Sequence, residues 1–145
     1  MGDWIGIVAA APGFVYPDPC RWQGSGVDPG RSVDEVVVAL TAQALRNPTE
    51  PVSVTLAGYD GIYFEWSVPA DQDFSTCDNN SFRAWLGAAG PNDRLYVAPG
   101  QYERVWVLDV GHERPLVMLA TYHPGNDEAG RSESDKILAS LTLTD

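Results

Sequence analysis

Residues 104–122 read RVWVLDVGHERPLVMLATY, two apolar runs separated by the polar stretch GHERP. Strand side chains alternate between faces, so a pairing register can be tested against polarity. With Val110 opposite Leu116 across the turn, Leu108 faces Met118, Trp106 faces Ala120 and Arg104 faces Tyr122. Val105, Val107, Val117, Leu119 and Thr121 then share the other face. Both faces are largely apolar, whereas half-solvated antiparallel strands carry one polar face. The stretch is therefore expected to be a β-hairpin in the middle of a sheet, covered on both sides. Asp109, next to Gly111, falls at the strand end.

Working outward, residues 82–86 and 94–98 read as short strands flanking GAAGPND, and 69–81 as a polar, acidic loop. Residues 51–57 and 62–68 alternate and make a second hairpin. Matching like faces puts Leu56 opposite Ile62 and Val54 opposite Phe64, and leaves 57–61 as the turn. Trp66 then lies on the buried face and Glu65 on the polar, solvated one. Ser32 with Glu35 is a capping box, and Asp34 adds favourable charge at a helix start. Val33, Val36, Val37, Leu40 and Ala44 follow at helical spacing, and Asn47–Pro48 ends the helix. Residues 4–10 read as a first strand, continued by 14–16 after a break at Pro12–Gly13; the Gly- and Pro-rich stretch 16–31 is a loop. A last helix is expected from Asp127 or Ser132 to Ser140, with Ile137, Leu138 and Leu141 as its apolar side, and an edge strand at 141–144. The order contains no βαβ alternation. It predicts an α+β fold in one domain, residues 1–145: a single, mainly antiparallel sheet packed with about two helices.

The formal net charge is −11, and Lys136 is the single lysine. Nucleic-acid binding relies on clustered Lys and Arg, and anionic membrane surfaces attract the same residues, so neither partner is expected. The acidity reads as solubility. No span approaches the ~20 apolar residues of a membrane helix. Residues 4–11 are a short apolar run after Asp3, without the positive flank of a signal peptide. If the natural protein is exported, its signal or membrane tether lies outside this chain.

No catalytic, cofactor or metal residue is assigned. The chain has no GxSxG elbow, and Gly24–Ser25–Gly26 is a loop tripeptide. His112 and His123 flank opposite ends of the central hairpin and read as turn residues. Glu65 and Asp109 do not form a convergent acid–base pair. Asp71, Asp73, Ser75 and Asp78 offer oxygen donors of the kind calcium takes, but the EF-hand glycine and glutamate are absent, and a solvated loop is the plainer reading. No glycine-rich phosphate loop is present. Trp22, Tyr59, Phe74 and Tyr102 fall in loops or turns and form a candidate ligand or partner patch, with lids over the core as the plainer reading.

Cys20 and Cys77 are the two cysteines, both in loops rich in turn residues. Packing cysteines sit inside elements, so a bridge is the better explanation, with two free thiols as the competing one. A bridge contributes roughly 4 kcal/mol in the chain-entropy model and implies an oxidising compartment. The absence of CxxC spacing argues against a redox pair or a zinc site.

DPCRW (18–22), the SVDEVVVAL helix, VTLAGYDGIYFEWSVP, Cys77–Asp78, RVWVLDV and ATYHPG together resemble a domain of actinobacterial secreted or membrane-tethered proteins of unknown function. The layout is similar to the Mog1/PsbP-like sandwich of small bacterial lipoproteins. The resemblance covers most of the chain. It implies an extracytoplasmic location and a Cys20–Cys77 bridge, and it carries no catalytic residues. The expected function is a non-enzymatic extracytoplasmic module that binds a partner protein or a small envelope ligand. The alternative is a hydrolase whose site no motif reveals.

Overall fold

The computed structural model describes residues 5–87, 94–96, 99–111 and 113–122. The expected C-terminal helix and edge strand, His112 and His123 lie outside the described residues. The elements in chain order are β1 (Ile5–Ala10), β2 (Pro12–Val15), α1 (Val33–Thr41), β3 (Val52–Leu56), β4 (Tyr59–Ser67), β5 (Phe82–Gly87), β6 (Arg94–Tyr96), β7 (Tyr102–Leu108) and β8 (Leu116–Tyr122). The class is α+β, as expected, and all strand pairing is antiparallel. The strands make two sheets rather than one, ordered β1-β8-β7-β4-β3 and β2-β5-β6. The switch falls at Pro12, which has no amide to continue a ladder and sits at an irregularity in the β2–β5 register. Phe14 and Val15 therefore belong to the second sheet instead of extending the first strand. Among the described residues no helix is long and apolar enough to cross a membrane.

The β7–β8 hairpin lies inside the five-stranded sheet, as its two apolar faces require. Its register differs from the expected one by two residues: Leu108 pairs with Leu116, Trp106 with Met118 and Arg104 with Ala120. A slip of two keeps every side chain on its expected face. The turn consumes Val110 for local reasons. Asp109 donates its amide to the Asp60 carbonyl (2.9 Å) and accepts from the Gly111 amide (3.1 Å), while Pro115 has no amide to pair.

The β3–β4 hairpin departs further. Leu56 pairs with Tyr59, Val54 with Gly61 and Val52 with Tyr63. Ala57 and Gly58, both at positive φ (54° and 84°), form a two-residue turn of the I′ kind, which overrides the matching of like faces. The shift is odd, so Val52, Val54 and Leu56 face away from Ile62, Phe64 and Trp66. Gly61 must be glycine: a Cβ there would lie 2.1 Å from the Val107 carbonyl oxygen.

One core fills the space between the inner face of the large sheet, α1 and the small sheet. It contains Phe64, Trp66, Val105, Val107, Val117 and Leu119 from the first, Val36, Val37 and Leu40 from the second, and Val15, Phe82 and Trp85 from the third. The opposite face of the large sheet buries Trp106, Leu108, Met118, Ala120 and Tyr122, rimmed by Val54, Leu56 and Tyr63. The capping box forms as read: Ser32 Oγ accepts from the Glu35 amide, and Glu35 Oε1 accepts from the Ser32 amide, both at 3.1 Å. Hydrogen bonds from the Arg31 amide and from Ser32 hold the Glu35 carboxyl below its usual range. The helix stops at Thr41 rather than at Asn47. Its next turn is captured by the loop after β2: the Ala44 amide donates to Pro17 O (2.8 Å), and Leu45 and Asn47 take positive φ.

Candidate functional site

Cys20 and Cys77 form a disulfide, with Cα atoms 4.4 Å apart. It fastens the loop after β2 to the loop before β5, and both cysteines are buried. Backbone bonds run alongside it, from the Asp78 amide to Cys20 O and from the Arg83 amide to Pro19 O, each 2.9 Å. Asp18 Oδ1 accepts from the Cys20 and Arg21 amides, and Asp78 Oδ2 accepts from the Gln23 amide. Arg21 crosses the join to donate to Thr76 O, and Gln72 Nε2 lies 3.6 and 3.5 Å from the two sulfurs. The acidic loop is therefore more than solvated. Asp73 caps a short 3-10 turn by accepting from the Ser75 amide and hydroxyl, which hold its carboxyl below the usual range.

Two of the four candidate aromatics belong to this clamp. Trp22 donates its indole N–H to Ser81 O (3.0 Å), packs against Tyr16, and lies under the Arg83 guanidinium at 4.3 Å. Phe74 stacks on Phe82. The other two sit elsewhere: Tyr59 beside the β3–β4 turn, and Tyr102 across from Ser67 at the opposite end of β4, packed on Tyr122. At roughly 3.3 Å per residue, the length of β4 keeps Tyr59 and Tyr102 apart. The four aromatics thus divide among three places, with only Trp22 and Phe74 sharing one.

Behind the clamp lies a polar joint that sequence reasoning missed. Arg46 and Glu103 are both fully buried, with the guanidinium 3.7 Å from the carboxylate. Glu103 accepts from Trp66 Nε1 (2.8 Å) and Thr121 Oγ1 (2.7 Å). Arg46 donates to Ser67 O and to Gln43 Oε1, both at 2.7 Å, and stacks on the Trp66 ring. Gln43 in turn donates to Tyr16 O and Ala84 O, each 2.8 Å. The small sheet is thereby hydrogen-bonded to the large one through the residues that follow α1. A buried ion pair is tolerable where its groups are hydrogen-bonded, and here Trp66 and Thr121 serve the carboxylate while Ser67 O and Gln43 serve the guanidinium. The signal was present: Glu103 stands two residues before Val105, on the face that Val105 and Val107 bury.

Glu65 also differs from its expected solvated state. It is half-buried and accepts from the Tyr63 hydroxyl, which accepts from Arg104 Nε (3.0 Å). Burial, and then the bond to Glu65, push the Tyr63 phenol up to about 12, against the opposing pull of Arg104. Glu65 and Tyr102 border a cleft of about 160 Å³ with Asn47, Thr49 and Ser67. Asp109 lines a different cleft of about 310 Å³, with Arg31, Ser32 and Asp34 at the start of α1. Across Pro115 a groove of about 390 Å³ is bounded by Ala11, Val110, Arg114 and Leu116. Compared with known proteins, the chain matches no family model, and no curated protein or solved structure was found to match it.

Proposed function

We propose that this chain is a non-enzymatic extracytoplasmic module, the outer part of an exported or membrane-tethered protein, which binds a partner protein or a small envelope ligand. The observation that carries this reading is the Cys20–Cys77 disulfide and the hydrogen-bonded clamp around it. Disulfides persist in oxidising compartments, and a bridge between two surface loops rigidifies what those loops present. Trp22 and Phe74 are the side chains so held, and they are the ligand contacts we favour. The likeness to the actinobacterial domain and to the Mog1/PsbP-like layout belongs to the same proposal. The α+β class and the packed helix support it, while the second sheet is a departure from that layout.

The test is intact mass after alkylation without reduction, on protein folded under oxidising conditions. Two missing protons and no adduct agree with the proposal. Two alkylated thiols remove its basis and send the search to cytosolic partners. One observation favours the hydrolase alternative, namely that Asp109 lines a cleft with Arg31 and Ser32. Turnover of a panel of activated esters that Asp109→Asn abolishes would establish that alternative.

A further inference from the structure

We propose that the open edge of β3 is a docking strand for an extended, basic segment of a partner protein. This deepens the binding-module reading and rests on it. In a hairpin closed by a two-residue turn, the residues flanking the turn form a hydrogen-bonded pair and the pattern then alternates. Val52, Val54 and Leu56 therefore bond inward to Tyr63, Gly61 and Tyr59. Ser53 and Thr55 point their amides and carbonyls outward, and these have no partner among the described residues. Both residues are exposed, and Val52 beside them is 50% exposed.

Edge strands are ordinarily guarded by lysine, proline or a bulge. VSVTL contains no lysine or proline, and its register with β4 is regular. Such an edge accepts an added strand, whose main chain supplies affinity and whose alternate side chains supply specificity.

Charge selects the occupant. Between Asn47 and Tyr63 the only charged side chains are Glu50 and Asp60, both exposed. Asp60 pairs with Thr55 and so shares the face that Ser53 and Thr55 present. A second copy of a chain with net charge −11 would bring like charges together. A segment with Lys or Arg on the Thr55 side and apolar residues on the Val52–Leu56 side meets both requirements.

The experiment titrates the oxidised, isotope-labelled full chain with an acetylated peptide of about eight alternating valines and lysines, the length of an ordinary strand. The control is the same peptide with glutamate for lysine. The Ser53 and Thr55 amides are expected to shift and to gain exchange protection with the lysine peptide alone, and binding should weaken as salt rises. Ser53→Pro deletes one outward amide without touching the β3–β4 ladder. It should weaken binding about tenfold, the value of one hydrogen bond, at an unchanged melting temperature. Asp60→Asn keeps the acceptor for Thr55 and should weaken only the lysine peptide.

Equal binding of both peptides, or no binding of either, overturns the proposal. So does a wild-type dimer in sedimentation that Ser53→Pro dissociates, which would make the occupant a second copy. Binding that moves residues beside Pro115 and leaves Ser53 and Thr55 unshifted overturns the edge site while leaving the binding-module reading standing. Two free thiols by mass would overturn that reading and leave the edge measurement intact.

Discussion

The two hairpins of the large sheet differ in what sets their register. The β7–β8 hairpin is buried on both faces, and its side chains stay on the faces that their polarity assigns, even though the turn takes two residues more than its sequence suggests. The β3–β4 hairpin reaches the sheet edge at β3, whose side chains are exposed or only partly buried. There Ala57 and Gly58 fix the register through backbone conformation, and three apolar residues go to the face opposite the one that side-chain matching predicts. Burial governs where both faces are dry, and turn geometry governs where one edge is wet.

The contrast can be broken first at its most buried point. Glu103→Ala removes the carboxylate beside the buried Arg46 guanidinium, and should cost roughly 3–5 kcal/mol in denaturant unfolding. Removing the other member of the joint by Arg46→Met should be milder, since Glu103 keeps the Trp66 indole and Thr121 hydroxyl as donors.

Next come matched truncations. Leu119→Ala in the interior hairpin should cost about 3 kcal/mol, whereas Leu56→Ala at the edge should cost under about 1 kcal/mol. Equal losses would erase the distinction between the hairpins. At the turn, Ala57→Asn should stabilise by about 1 kcal/mol, because asparagine tolerates the left-handed conformation that alanine adopts there under strain. A loss of stability would mean that a longer turn is the true one.

Smaller effects follow pH. The Glu35 and Asp73 carboxyls are held below their ordinary values of 4.5 and 3.8. The stability they contribute is therefore present above those values and is lost as pH falls below them, and Glu35→Gln should flatten that acid limb in thermal melts. At the other end, Tyr63 ionises only near 12, against 10.0 for a free phenol. Across that window the folded state holds a proton that the unfolded chain has released, so stability declines as pH rises. Tyr63→Phe should remove this dependence.

Much of the architecture was legible in the sequence. Ser32 and Glu35 announced the helix start because capping is local, and the two apolar faces of residues 104–122 announced an interior hairpin because they can be buried nowhere else. The disulfide followed from where the cysteines stand. The helix end, the second sheet and the Arg46–Glu103 joint were not legible, because each depends on contacts between distant segments. Just past the helix end, the Gln43 side chain is held by the carbonyls of Tyr16 and Ala84, which lie far away in sequence. Glu103 escaped notice because it stands just outside the apolar run, although its alternation with Val105 places it on the core face. The aromatic patch was legible as residue types and not as geometry, since loops far apart in sequence set where Trp22, Tyr59, Phe74 and Tyr102 lie.

Amide hydrogen exchange, read residue by residue across both hairpins, bears most directly on this picture. The Val105, Val107, Val117 and Leu119 amides should exchange only through global unfolding, as expected for a ladder in the middle of a sheet. At the edge, the Val54 and Leu56 amides should be protected, while those of Ser53 and Thr55 exchange close to the rate of an unstructured chain. Protected Ser53 and Thr55 amides beside unprotected Val54 and Leu56 would contradict both the turn-set register and the open edge.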